Sequence, residues 1–175
     1  IPIKYNYGSN IYDIEVLNDK WKIEHLNKLD AYYSKSDFYN ETWPLIKNIY
    51  EENKEIKLSE ININFIKKVL EYLEINLKFY KASEIAIKSD LSGDDRLISL
   101  INNLGSRGIY LSGNGALDYQ SEKKFNANKI EVIYTPKIFS SYNQYGSQNY
   151  ISGLSILDYL FNIGKDNTKN LIKSV

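Results

Sequence analysis

Leu97-Ile98-Ser99-Leu100-Ile101-Asn102-Asn103-Leu104-Gly105 carries apolar side chains at 97, 100, 101 and 104, with a glycine directly behind them. That spacing is one face of an α-helix, and the glycine stands where a left-handed residue closes one. Ser92-Gly93-Asp94-Asp95 ahead of it supplies helix-start chemistry, including a Ser-x-x-Asp variant of the capping box. On either side the pattern turns extended. Leu77-Lys78-Phe79-Tyr80-Lys81-Ala82 reads as a strand continued through Ile85–Ile87, and Ile109-Tyr110-Leu111 as another. Residues 121–128 read as a short helix, and Ile130–Tyr134 as the best buried strand, ended by Pro136. Strand, helix and strand in that order from Leu77 to Tyr134 predict a βαβ-type unit. The expected fold is therefore α/β, a single domain with a small, mostly parallel or mixed sheet flanked by helices.

Working outward, Ile1–Tyr5 and Ile11–Leu17 read as two strands around a Gly8-Ser9-Asn10 turn. A helix-rich middle segment follows. Trp21, His25, Leu29 and Tyr32 form a single helical stripe after an Asn18-Asp19 entry. A second helix is predicted to begin near Trp43-Pro44, since proline is tolerated in a first turn, with Leu45, Ile46, Ile49 and Tyr50 on its apolar face. The charged run Glu51-Glu52-Asn53-Lys54-Glu55 closes it as a solvated end, and Ser59 opens a third helix. Near the C-terminus, Ser155-x-x-Asp158 opens a helix with Leu157, Leu160 and Phe161 buried, stopping near Gly164 before a short terminal helix.

The residues that are missing exclude much chemistry. Among 175 residues there is no Cys, no Met and one His. Without cysteine there is no disulfide framework, thiolate zinc site or cysteine nucleophile. One histidine cannot build a multi-histidine metal centre, and no metal site is predicted; only a carboxylate site for a hard cation stays open. The 22 basic and 22 acidic residues balance, which argues against a nucleic-acid partner. No apolar run approaches the length of a membrane span. Without an initiating methionine, the chain is expected to be a piece of a longer protein.

Four places carry candidate chemistry. Ser112-Gly113-Asn114-Gly115 follows a strand, where glycines let backbone N–H groups approach an anion; the alternative is a tight turn. Asp118 and Tyr119 come next, a carboxylate that can serve as a base or bind a hydroxyl, beside a phenol. The long aromatic loop 139–153 sets Tyr142 and Gln144 two apart, so an extended backbone turns an aromatic platform and an amide to one side. Sugars are bound in that way; the alternative is a loop packing its own tyrosines. Ser155 and Asp158 read first as a capping box and only second as catalytic groups, and the same helix start is a favourable anion site that can coexist with capping. His25 is the single ordinary base near neutrality, or a satisfied core histidine. Arg96 and Arg107 flank a helix and offer the chain's guanidinium groups to a phosphate.

Several of these segments together resemble the WbqC family: Trp21, His25 and Tyr32; Ile109-Tyr110-Leu111-Ser112-Gly113 with Gly115 and Tyr119; Tyr142-x-Gln144; and Leu154-Ser155-Ile156-Leu157-Asp158-Tyr159-Leu160-Phe161-Asn162-x-Gly164. The resemblance covers nearly all of residues 1–175 and makes them a single domain, the C-terminal, larger part of the full protein. Family members carry a further N-terminal segment with a His-Gln-Pro motif, an Asp-rich strand and an Asn-Arg pair, none of which occurs in these residues. If catalytic groups lie there, this stretch is incomplete as an enzyme. The resemblance implies a cytoplasmic role in bacterial surface-polysaccharide (O-antigen) biosynthesis. It implies a sugar or nucleotide-sugar ligand and transfer of an acyl or aminoacyl group to an amino sugar. The alternative is a non-catalytic carbohydrate- or nucleotide-binding or scaffold module. Asp118 and His25 are then the candidate catalytic groups. Ser112, Gly113, Asn114, Gly115, Tyr119, Tyr142, Gln144, Ser155 and Asp158 are the candidate substrate-binding ones. No cofactor and no oligomeric state follows from these residues.

Overall fold

A computed structural model describes residues 1–105, 108–135 and 141–173. The fold is α/β with helices predominant, and its described residues divide into two compact units, 1–76 with 141–173 and 77–135.

The first unit is helical. A short antiparallel pair, β1 (Ile3–Lys4) and β2 (Glu15–Val16), is registered Ile3 against Val16. Helices α1 (Lys20–Tyr33), α2 (Tyr39–Glu52) and α3 (Leu58–Tyr72) follow, and α6 (Ile156–Lys173) returns from the C-terminal segment to pack on them. Two clusters fill the interior, Trp21, Ile46, Tyr50, Ile61 and Phe161 in one, Ile49, Val69, Leu73 and Leu160 in the other. Ile46, Leu73, Leu160 and Phe161 are fully buried, each worth roughly 1.5–3 kcal/mol of transfer free energy. Polar links fix α6 against α2: Phe38 N–H donates to the Phe161 carbonyl and Thr42 Oγ1 to the Leu160 carbonyl, at 3.0 and 2.9 Å.

Three expectations for this unit need correction. Helix α2 starts at Tyr39 rather than near Pro44, so the proline lies inside it. The Phe38–Phe161 bond and the burial of Thr42 hold an earlier start, and the proline forfeits only its own N–H bond. The strand expected over Ile11–Leu17 shrinks to the 3₁₀ turn Ile11–Asp13 and β2, because Ile11 and Tyr12 are exposed with no described strand beside them. Asn53, expected in a solvated end, is buried. Gly164 interrupts α6 with φ 78° and ψ 178°, so the helix stop and the terminal helix expected there both occur.

The second unit holds α4 (Gly93–Asn103), β3 (Gly108–Ser112), α5 (Glu122–Ala127) and β4 (Ile130–Tyr134). Strands β3 and β4 are parallel, registered Gly108 with Ile130 through Ser112 with Tyr134. One sheet face supplies Tyr110, Ile130 and Val132 to a core with Ile98 and Phe125, the Tyr110 and Phe125 rings stacked at 5.4 Å. The βαβ unit is thus β3–α5–β4. The first strand expected, Leu77–Ala82, does not form, nor does its continuation: Leu77, Phe79 and Tyr80 are exposed, and no strand among the described residues takes up the ladder. Ser92 makes no side-chain cap either. Asp94 Oδ2 instead accepts the Ser121 N–H at 2.9 Å, opening α5, and Asp95 pairs with Lys124 at 2.9 Å. Gly105 takes the left-handed conformation expected of a helix stop, φ 65°. Pro136, Phe139 and Arg107 lie outside the described residues.

Candidate functional site

Asp158, in the first turn of α6, has a buried side chain on which three donors converge. Tyr33 Oη donates to Oδ1 at 2.9 Å, while Tyr142 Oη and Gln144 Nε2 donate to Oδ2, the latter at 3.1 Å. Gln144 also exchanges bonds with the Ile151 backbone, at 2.9 and 2.8 Å. Asn162, one turn along α6, accepts the Tyr145 N–H at 2.7 Å and donates to the Asp158 carbonyl at 2.8 Å. Tyr33 stacks on Phe161 at 4.4 Å and Tyr142 lies against Tyr159 at 4.3 Å. Tyr142 and Gln144 do turn to one side, and there they meet Asp158. The capping box is half formed: Ser155 Oγ accepts the Leu157 N–H at 3.3 Å, whereas the Asp158 carboxylate faces the tyrosines. Chemically this is a knot that pins the loop preceding α6, with each of its hydrogen-bonding groups already engaged.

Burial raises the phenols of Tyr33 and Tyr142, and the Asp158 carboxylate adds to both shifts. Burial likewise pushes Tyr39 and Tyr159 up to about 12. An unfolded tyrosine ionises near 10. The folded chain therefore holds these protons the more tightly, so their contribution is complete below pH 10 and is lost as pH rises through 12. The thermal midpoint should fall steeply above about pH 10, with part of the phenolate absorbance appearing only as structure is lost. Full ionisation before unfolding would contradict the burial of these groups.

The second feature of this unit is a hollow of about 240 Å³ beside α1, α2 and α3, lined among others by Trp21, His25, Tyr50, Asn53, Asn62 and Phe65. His25 is half-buried, and its Nδ1 lies 3.3 Å from Tyr50 Oη. With the Nδ1–H tautomer, Tyr50 accepts that proton and Nε2 is left as an open acceptor. Trp21 and Tyr50 set their rings 5.3 and 6.0 Å from the imidazole, edge-on. Burial lowers the His25 pKa, so the ring is neutral at pH 7. Phe65 crosses Tyr50 at 5.7 Å. The result is an aromatic chamber with one neutral base. The helical stripe read from sequence holds for Trp21, His25 and Leu29 but not Tyr32, which is exposed; Tyr33 takes the inward place against Phe161. Tyr33, Asn53 and Phe65 were not among the expected site residues. An asparagine ending a helix amid charge was the available signal for Asn53.

The glycine segment belongs to the other unit. Ser112 is buried with its hydroxyl donating to Gln120 at 2.7 Å, and Asn114–Ala116 forms a 3₁₀ turn. A Cβ added at Gly113 or Gly115 would meet nothing within 4 Å, so the backbone there is open to approach. Asp118 and Tyr119 are exposed, and Asp118 has no hydrogen-bond partner among the described residues. Arg96 lies in α4. Among the described residues no group of acidic residues and histidine is placed to hold a metal ion, and no helix is long and apolar enough to cross a membrane.

Compared with known proteins, residues 1–170 match the WbqC-like protein family. The chain belongs to that family. The uncharacterized protein Rv1507c of Mycobacterium tuberculosis (strain ATCC 25618 / H37Rv) is similar, 23% identical over 168 residues that span 95% of this chain and 71% of the relative. No solved structure matches. The WbqC-like match runs through both the Asp158 knot and the glycine segment, and its end at 170 falls within α6.

Proposed function

We propose that this WbqC-like chain, a single domain over 1–175, is a cytoplasmic sugar-modifying protein of bacterial surface-polysaccharide biosynthesis. Its substrate is a nucleotide-linked amino sugar whose sugar ring enters the aromatic hollow. Family membership supports the pathway in general. The observation that carries the site is His25, neutral, oriented by Tyr50 and set among rings that suit the apolar face of a sugar. The reaction is transfer of an acyl or aminoacyl group from an activated ester or thioester. The sugar amine attacks the carbonyl carbon and the new C–N bond forms. The C–O or C–S bond of the donor breaks, and His25 Nε2 takes the amine proton and returns it to the leaving group. Asp118, exposed and without an orienting bond among the described residues, is the weaker candidate for that base. The hydrogen-bond partner of His25 is a phenol, not a serine or threonine hydroxyl, which favours direct transfer over a covalent acyl-enzyme.

The second reading is binding without catalysis, supported by the lack of a serine or threonine hydroxyl bonded to His25 among the described residues. The test is product formation from amino-sugar nucleotides with acyl donors, followed by mass spectrometry. His25→Gln should lower turnover about a hundredfold while sugar binding changes little. Binding with no turnover in the full-length protein would select the second reading, and no binding would overturn both.

A further inference from the structure

The hollow also carries a recognition group, and its reading rests on the sugar site just proposed. Asn53 is only 2% exposed although it borders the hollow. Its Oδ1 accepts the Glu55 N–H at 2.9 Å, which fixes the carboxamide orientation, and its carbonyl accepts Lys22 Nζ at 2.7 Å. Its Nδ2 has no partner among the described residues, yet it is not one of the fully shielded unpaired atoms. Trp21 Nε1 is also unpaired but fully shielded, so the indole serves as wall and not as donor.

The rest of the lining decides what Nδ2 would meet. Ile49, Ile61, Phe65 and Leu157 are apolar, and among the described residues no carboxylate side chain borders the hollow to receive a cation. Lys22 Nζ is engaged by the Asn53 carbonyl and by Asp19 at 2.9 Å, so it is not free to receive an anion. A ligand acceptor at Nδ2 would give this donor a partner that the described residues do not supply. A neutral carbonyl on a small apolar group satisfies both conditions. A hollow of about 240 Å³ is smaller than those that take drug-sized ligands, and suits one sugar ring with its substituent.

We propose that Asn53 Nδ2 donates to the acyl carbonyl of an amino sugar that is already N-acylated at one carbon and carries the reacting amine at another, making Asn53 the residue that selects for that acyl group. The apolar part of the acyl group lies against Phe65 and Leu157.

The probes are the methyl glycosides of 2-acetamido-2-deoxyglucose and of glucose, titrated calorimetrically into the full chain. The acetamido sugar should bind about tenfold more tightly. Asn53→Asp keeps the acceptor for Glu55 N–H but replaces the donor with an oxygen, and should abolish that preference while lowering the thermal midpoint, since the new carboxylate is buried. Equal affinities in the native chain, or a preference surviving in Asn53→Asp, would overturn the assignment while leaving the sugar site standing. If neither glycoside binds the native chain, the sugar reading itself fails and this one with it. Should Asn53→Asp unfold, the native preference decides alone.

Discussion

Replacing Asp158 with asparagine should lower the unfolding free energy by about 3 kcal/mol. The carboxylate is 5% exposed and accepts from Tyr33, Tyr142 and Gln144. Hydrogen bonds to a charged acceptor contribute about 1.5–3 kcal/mol each, roughly twice a neutral one. An asparagine oxygen can still receive Tyr33, but its amide nitrogen then faces Gln144 Nε2 and the Tyr142 hydroxyl. One bond is lost and the others weaken. For a chain of this size the loss corresponds to a fall of about 6–12 °C in thermal midpoint. Ser155→Ala removes only a long, exposed bond to Leu157 N–H and should cost about 0.5 kcal/mol. Near-UV circular dichroism, which reports on the tyrosines packed around the knot, measures both. If Asp158→Asn costs no more than Ser155→Ala, Asp158 acts as a helix cap and the knot carries no weight.

That contrast shows what could be read from sequence. Ser-x-x-Asp before an apolar run is a local signal, and the helix it announces is present. Which group the aspartate meets depends on Tyr33, 125 positions away, and no periodicity encodes that. The same holds for Tyr142 and Gln144: their shared direction follows from extended backbone, but its target comes from the packing of α6. Strand Ile130–Tyr134 and helix Gly93–Asn103 were legible because hydrophobic period and end signals agree over their length. Leu77–Ala82 reads as a strand and is not one, because a strand exists only with a partner and β-propensity alone does not provide it. His25 was visible as a lone base on an aromatic stripe. The hollow around it was not, since Tyr50, Asn53 and Phe65 reach it from α2, its C-terminal cap and α3.

Gly164→Ala should have the largest effect on stability, about 4 kcal/mol, because two independent penalties fall on one methyl group. With φ 78° and ψ 178°, Gly164 occupies backbone space almost closed to residues bearing a Cβ, a strain of roughly 1–3 kcal/mol. The added carbon would also stand 2.4 Å from Phe38 Cδ1 and 2.6 Å from Cε1. Phe38 cannot simply withdraw, since its N–H is bonded to the Phe161 carbonyl just before the break. Beyond the break, Lys165 N–H donates to Glu41 and the Lys165 and Lys169 ammonium groups pair with Glu74, so displacing Gly164 also loosens α6 from α2 and from the end of α3. The two penalties are separable. In a Phe38→Leu background the clash is relieved and the backbone strain is not, so Gly164→Ala should then cost about 2 kcal/mol. Thermal unfolding of the four variants measures the coupling. Equal costs in both backgrounds would mean that the backbone conformation alone forbids a side chain at 164, and a negligible cost in the native background would show that α6 passes this point without the break.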